Sequence, residues 1–151
     1  MVIKMKVTLQ QIDTGNEEVI VRYRQMTQQI EDIVQYVEGK AEKLAVTNEG
    51  QQFFINISDV IYLESVDGIT FVYTQEEVYR TVLTLTLFGT LYADKGFFRC
   101  SKAAIINIYR IDRLKSMPGS RIDATMDNRE HIIISRRYAK ELRRVLKGEE
   151  R

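Results

Sequence analysis

Residues 97–107 read FFRCSKAAIIN, and residues 134–142, beyond a proline–glycine turn, read ISRRYAKEL. Both stretches lie in a basic region, because residues 97–147 hold 13 Lys or Arg against 5 Asp or Glu, a local net charge of +8. Residues 1–96 carry a net charge of −6, although the whole chain is close to neutral at +1. Positive charge concentrated at one end indicates a polyanionic partner, of which nucleic acid is the commonest.

The composition narrows the class of protein. At 151 residues and 44% hydrophobic content, the chain suits one domain, or one domain plus an extension. No stretch approaches the roughly 20 apolar residues of a membrane span, and the N-terminus lacks a secretory signal, so we expect a cytoplasmic protein. A single cysteine (Cys100) and a single histidine (His131) exclude an internal disulfide and a Cys/His zinc cluster. Without a glycine-rich phosphate loop or a nucleophile–base signature, we expect no cofactor and no enzymatic activity. Carboxylates are numerous, so an enzyme that uses a pair of them is the weakest of the alternatives.

The first 43 residues are expected to form a ββα extension. Alternating apolar and polar residues predict strands at 2–9 and 18–24, joined by a turn. Apolar residues at steps of three and four predict a helix over 27–38, started by Thr27 and ended by Gly39. The apolar face of this helix either packs on the two strands or contacts a dimer partner or regulator.

From Leu44 the pattern changes to short strands joined by tight turns. Strands are predicted at 44–47, 52–57, 59–64, 69–74 and 78–82, with Asp67-Gly68 as a hairpin turn. Strands of this length and spacing indicate an antiparallel body, so the predicted fold class is mainly β with short helices (α+β). Residues 83–92 fit both an alternating strand and a helix capped by Thr84 or Thr86, and local propensity does not decide between them.

The basic region continues the pattern of strands and then changes to a helix. Strands are predicted at 97–100, 105–117, 121–126 and 131–135, with Pro118-Gly119-Ser120 as a hairpin turn. Ser135 is expected to cap a final helix over 136–146, which Gly148 ends. Apolar residues on one face of this helix predict that it packs inward and leaves its cations in solvent.

Four motifs in order resemble the LytTR-type DNA-binding domain of bacterial transcription regulators, over residues 44–148. The motifs are SDVIYLE at 58–64, FFRCSK at 97–102, IIN at 105–107 and ISRRY at 134–138. The resemblance implies an elongated arrangement of small antiparallel sheets with short helices, whose loops enter successive major grooves on one face of DNA. It also favours a short helix at 83–92, and it leaves residues 1–43 as an extension for dimerisation or partner contact.

The resemblance, carried over by position, assigns residues to DNA. Base contacts are expected from Thr70, Lys102 and Arg137. Phosphate contacts are expected from Ser101, Arg136 and Lys140. The forked guanidinium of Arg137 suits guanine O6 and N7, whereas the Lys102 ammonium donates with less directional demand. Thr70 is taken to lie in the loop after Asp67-Gly68.

Two neighbouring residues have alternative roles. Arg99 either contacts DNA or pairs with a carboxylate at the edge of the core. Cys100 either acts as a redox switch beside the DNA-contact loop or fills a small apolar space in a strand, and the second role is favoured.

The function expected from these residues is that of a transcriptional regulator that binds specific double-stranded DNA. We expect no phospho-receiver domain, since one needs about 120 residues. The acidic N-terminal part is expected to bind a partner or to form a homodimer, and a pair of protomers suits repeated sites on one DNA face. The resemblance implies control by a membrane-protein inhibitor. The alternative is a protein-interaction module whose basic face binds an acidic partner, and selection of bound duplexes separates the two functions.

Overall fold

The computed structural model of the chain describes residues 5–39 and 42–148. The chain forms two compact units, of which one comprises residues 3–42 and the other begins at Lys43. All the strands of the described residues lie in the second unit. The prediction of a mainly β fold with short helices is confirmed.

The first unit contains one helix in its described residues, α1 (Gln28–Val37). The Thr27 hydroxyl accepts a hydrogen bond from the backbone amide of Ile30 at 3.3 Å. The helix ends where Gly39 adopts a positive φ of 74°, which a residue without a side chain adopts at little cost. Both ends agree with the sequence prediction.

The two strands expected at 2–9 and 18–24 are not formed in the described part of the chain. Residues 5–27 hold neither helix nor strand, and residues 2–4 lie outside the described residues. Most apolar side chains of this segment are exposed, among them Val7 by 80% and Leu9 by 92%. An isolated two-stranded hairpin is only marginally stable in water, so an alternating pattern does not form strands without further packing partners.

Ten strands lie in the described part of the second unit. They are β1 (Lys43–Asn48), β2 (Gln51–Asn56), β3 (Tyr62–Val66), β4 (Ile69–Tyr73), β5 (Val78–Thr81), β6 (Phe97–Ser101), β7 (Ala104–Asn107), β8 (Ile111–Met117), β9 (Arg121–Met126) and β10 (His131–Ile134). The first seven form an antiparallel sheet in the order β2-β1-β5-β4-β3-β7-β6, and the last three form a second sheet in the order β10-β9-β8. The predicted short strands and hairpin turns are confirmed, with one exception.

The exception is the single long strand predicted over 105–117, which is wrong. β7 ends at Asn107, and β8 begins at Ile111 in the other sheet after a short 3-10 turn. The Asn107 side chain explains the break, because its oxygen accepts from the Tyr109 amide at 3.0 Å and its nitrogen donates to the Val60 carbonyl at 2.9 Å. This buried side chain fixes a corner where the local pattern favours a straight strand.

The ambiguous segment at 83–92 is helical, as the resemblance implies. It forms α2 (Leu85–Leu91), and the Thr84 hydroxyl accepts a hydrogen bond from the Leu87 amide at 3.1 Å. The helix buries Leu85 and Phe88, and this burial outweighs the low helix propensity of Gly89.

Two apolar clusters cover opposite faces of the larger sheet. Ile105 and Ile106, which are neighbours in β7, belong to different clusters, as the alternation of a strand requires. The cluster around Ile105 includes Phe88 of α2. The cluster around Ile106 includes residues of the smaller sheet and of the final helix, α3 (Arg136–Leu146). α3 starts directly after Ser135 as predicted and is held against β6 through this second cluster, although the Ser135 side chain makes no capping bond.

Candidate nucleic-acid interface

The turn between β6 and β7 carries Lys102 at its exposed tip. The Arg99 side chain holds this turn, since Nε donates to the Ser101 carbonyl at 2.7 Å and Nη2 donates to the Lys102 carbonyl at 2.6 Å. The Ser101 hydroxyl accepts from the Ala103 amide at 3.2 Å. Arg99 therefore donates to backbone carbonyls, whereas one of its two expected roles was to pair with a carboxylate.

A bulge in β6 connects this turn to the final helix. The pairing register with β7 shifts between Arg99 and Ser101, so Cys100 is the extra residue. The Cys100 carbonyl accepts a hydrogen bond from the Ser135 amide at 2.9 Å. This backbone bond places the start of α3 directly beside the β6–β7 turn.

The first turn of α3 presents two exposed arginines, Arg136 and Arg137. The Arg137 guanidinium carbon lies 5.3 Å from the centre of the Tyr138 ring, and Tyr138 meets Phe98 edge-on with a centroid distance of 6.4 Å. The cation–π contact therefore supports the guanidinium on a side chain that packs against the core. Lys140 follows Arg136 by four residues and is exposed on the same side of the helix.

The turn between β3 and β4 lies on the other side of the β6–β7 turn. The Ser65 amide donates to the Ala103 carbonyl at 2.8 Å, which joins the ends of the two hairpins. Asp67 and Gly68 both have positive φ angles, 50° and 78°, as a two-residue hairpin turn requires. We name the contact edge the set of three neighbouring parts: the Asp67-Gly68 turn, the β6–β7 turn at 101–103 and the start of α3 at 135–140.

The prediction that Thr70 lies in the loop after Asp67-Gly68 is wrong. Thr70 is the second residue of β4, pairs with Ser65 and Thr81, and is 6% exposed. A two-residue turn leaves no loop beyond Gly68, so a side chain at this position faces the core and is not available to a base edge. The tip is formed by Asp67 and Gly68 themselves, and the Asp-Gly pair in the sequence was the signal for it.

The cations of the contact edge differ from those of the later turns of α3. In residues 42–148, the structure shows no ion pair for Lys102, Arg136, Arg137 or Lys140. By contrast, Arg143 donates to the Ser116 hydroxyl at 2.7 Å, and Arg144 pairs with Glu141 at 3.7 Å. The cations at the contact edge are thus able to bind an external anion without breaking an ion pair described here.

The Cys100 thiol is buried behind this edge. Its Sγ lies 3.4 Å from the Ala104 carbonyl oxygen, and burial raises the pKa of the thiol to about 12. Because the thiolate is the reactive form, a thiol with a raised pKa and no solvent access reacts slowly. These properties agree with Cys100 as an apolar filler in the strand.

The described residues show neither a metal-binding cluster nor a membrane-spanning helix. Residues 5–39 and 42–148 contain no group of three or more His, Cys, Asp or Glu side chains able to hold a metal ion. The His131 Nδ1 atom lies 2.9 Å from an Asp123 oxygen on the smaller sheet, which is a pair rather than such a group. None of the helices in these ranges is long and apolar enough to cross a membrane.

Comparison with known families gives a match over most of the second unit. Residues 50–147 match the family described as the LytTr DNA-binding domain. The chain belongs to this LytTR family. The family is defined by DNA binding and not by an enzymatic reaction, and its matched region includes the whole contact edge.

Individual relatives agree with this assignment. A solved structure of a LytTr DNA-binding domain from Bacillus cereus matches with a TM-score of 0.66 and 27% identity, covering 70% of this chain and 96% of that one. The sensory transduction protein LytT of Bacillus anthracis is 29% identical over 131 residues, 83% of this chain and 53% of the relative. The transcriptional regulatory protein YpdB of Escherichia coli K12 is 29% identical over 91 residues, 60% of this chain and 37% of the relative. The chain therefore spans about half or less of the length of these two curated relatives.

Proposed function

We propose that this LytTR chain is a transcriptional regulator that binds specific double-stranded DNA through its contact edge. The two backbone hydrogen bonds that flank the β6–β7 turn, from Ser135 to Cys100 at 2.9 Å and from Ser65 to Ala103 at 2.8 Å, carry the proposal. They hold three exposed tips next to one another, and such tips are able to enter successive major grooves on one face of a duplex.

The residues of the contact edge take different parts in this proposal. Arg137 offers a planar pair of donors that fits guanine O6 and N7 in the major groove. Lys102 reaches a base or a phosphate from the tip of its turn. Arg136 and Lys140, together with the Ser101 hydroxyl, bind phosphates and set the register of the protein on DNA. Thr70 has no part, because it is buried.

We also propose that the regulator acts as a homodimer that pairs through β2. This strand is at the edge of the larger sheet and carries neither charge nor proline, although native sheets commonly use both to protect an edge. Phe54 on this strand is 64% exposed. Sedimentation of the full chain should show a dimer, and Phe54→Lys should shift it to a monomer. The membrane-protein inhibitor stays a prediction from the resemblance.

Selection of bound duplexes from a random pool with the purified full chain tests the proposed function. We expect an enriched motif, and we expect the variant Lys102→Ala/Arg137→Ala to lose it. The matched control is Arg113→Ala/Arg121→Ala, which removes the same charge from the β8–β9 hairpin. A pool without an enriched motif, combined with saturable binding to an acidic polypeptide such as polyglutamate, would instead favour the protein-interaction module.

A further inference from the structure

The β6–β7 turn is the central part of the contact edge, and its backbone has few ladder bonds of its own. The bulge at Cys100 interrupts the pairing with β7, and beyond it Ser101 pairs with Ala104 as the last pair of the hairpin. Lys102 has no partner in β7. Without a further hydrogen bond to the Lys102 backbone, the Lys102 side chain would take many positions, and DNA binding would have to order it.

The Ser65 amide and the Ser101 hydroxyl bond to the backbone of Ala103, and the Arg99 guanidinium restrains the other half of the turn. Its Nε and Nη2 atoms donate to two successive carbonyls of the turn, those of Ser101 and Lys102, at 2.7 and 2.6 Å. These charge-assisted bonds are short, and the planar fork fixes the direction of both carbonyls at once. The Arg99 side chain is only partly exposed, whereas Lys102 is exposed.

We propose that Arg99 is a positioning residue, which holds the β6–β7 turn in the conformation that presents Lys102 to DNA. This inference rests on the proposed contact between Lys102 and DNA. Arg99 acts through the backbone of the turn and neutralises no phosphate itself. Its contribution to affinity is therefore the ordering of the turn before binding.

A double-mutant cycle tests the proposal with four full-length proteins: wild type, Arg99→Gln, Lys102→Ala and the double variant. Their Kd values are measured on the selected duplex over a range of salt concentrations. We expect Arg99→Gln to weaken binding about tenfold, and to add almost nothing in the Lys102→Ala background, since residues that act through one another are not additive. Additive losses would overturn the proposal.

Two further variants separate positioning from charge. Arg99→Lys keeps the charge but loses the fork, and it should bind as weakly as Arg99→Gln; full rescue by lysine would overturn the proposal. Arg121→Gln is the matched control, because Arg121 also donates to a carbonyl of its own hairpin turn, that of Pro118 at 3.3 Å, away from the contact edge. It should leave the Kd within about twofold of wild type, as expected of a surface charge outside the contacts.

Two further measurements complete the test: the slope of log Kd against log salt for each variant, and duplex selection by the wild type. The double variant Arg99→Gln/Lys102→Ala should keep the salt slope of Lys102→Ala, whereas a further flattening by about one unit would mean that Arg99 binds a phosphate itself and would overturn the proposal. If the wild type selects no duplex at all, the proposed function and this inference both fail. If the wild type binds and the cycle is additive, the inference alone fails.

Discussion

The Ser135 amide donates a 2.9 Å hydrogen bond to the Cys100 carbonyl, and this bond joins two segments that are far apart in sequence. Lys102 lies two residues beyond Cys100, and Arg137 lies two residues beyond Ser135. Both side chains are exposed. The bond therefore brings the two main candidates for base contact to one edge. Burial of Lys102 or Arg137, or their placement on opposite sides of the molecule, would have excluded the DNA-binding proposal.

Arg137→Ala should reduce the affinity for the selected duplex by about 1–3 kcal/mol, because one bidentate contact to a base is lost. The preference at one base pair should relax at the same time. Kd measurements on duplexes with each base pair substituted in turn provide the check. Arg144→Ala is the control, since it removes the same charge from the last turn of α3, where Arg144 pairs with Glu141. An unchanged motif in Arg137→Ala would remove this residue from the proposed reading of bases.

Arg136→Ala should weaken binding to selected and random duplexes alike, because a phosphate contact carries no sequence information. The slope of log Kd against log salt should flatten by about one unit. Titrations of both duplexes at several salt concentrations measure the two effects together. A loss confined to the selected duplex would show that Arg136 reads a base.

Local patterns were sufficient for most of the hairpins and for both ends of the final helix. Asp67-Gly68 and Pro118-Gly119-Ser120 mark turns through residues that tolerate positive φ, and the structure has positive φ at Asp67, Gly68, Gly119 and Ser120. The helix over 136–146 follows from apolar residues at helical spacing, which bury Leu142 and Val145. The contact edge was predicted in part, because Lys102 and Arg137 are exposed in neighbouring segments.

The remaining features depend on contacts distant in sequence. The corner after Asn107 exists because its side chain bonds to Val60, which lies 47 residues earlier. Residues 105–117 alone read as one strand, since that partner is not visible in them. Thr70 was misplaced for a related reason: a two-residue turn starts β4 early, and the face that a strand residue presents depends on the register with its neighbours. The contact of Arg99 with the β6–β7 turn depends on the bulge at Cys100, which the local sequence pattern does not predict.

Thr70→Val should leave the selected DNA motif unchanged. The side chain is 6% exposed in β4, and valine has nearly the same shape and a higher preference for strands. Duplex selection with this variant provides the check, together with a thermal melt to show that the fold is intact. A changed preference at any base pair would mean that β4 rearranges on DNA and exposes this position.

Asp67→Asn should strengthen binding to any duplex, because it removes a negative charge from the contact edge. Asparagine tolerates the positive φ of 50° at this position, so the turn itself is kept. Kd values on random duplexes at low and high salt measure the effect, which should shrink as salt screens the charge. If the variant instead binds the selected duplex more weakly and loses the preference at one base pair, the Asp67 carboxylate accepts a hydrogen bond from that base.

Cys100 should react with iodoacetamide far more slowly in the native protein than in the denatured chain. Burial raises the pKa of the thiol from 9.0 to about 12, so the nucleophilic thiolate is scarce at neutral pH, and the side chain is fully buried.

The same pKa shift determines how stability depends on pH, because the native state holds the thiol proton more tightly than the unfolded chain does. The free energy of unfolding should therefore fall as pH rises above about 9, through the interval between the two pKa values. Mass spectrometry of alkylation at pH 8, with and without denaturant, measures the reactivity. Equal rates in the two states, or a loss of DNA binding after mild oxidation that Cys100→Ala abolishes, would restore the redox switch as the better interpretation.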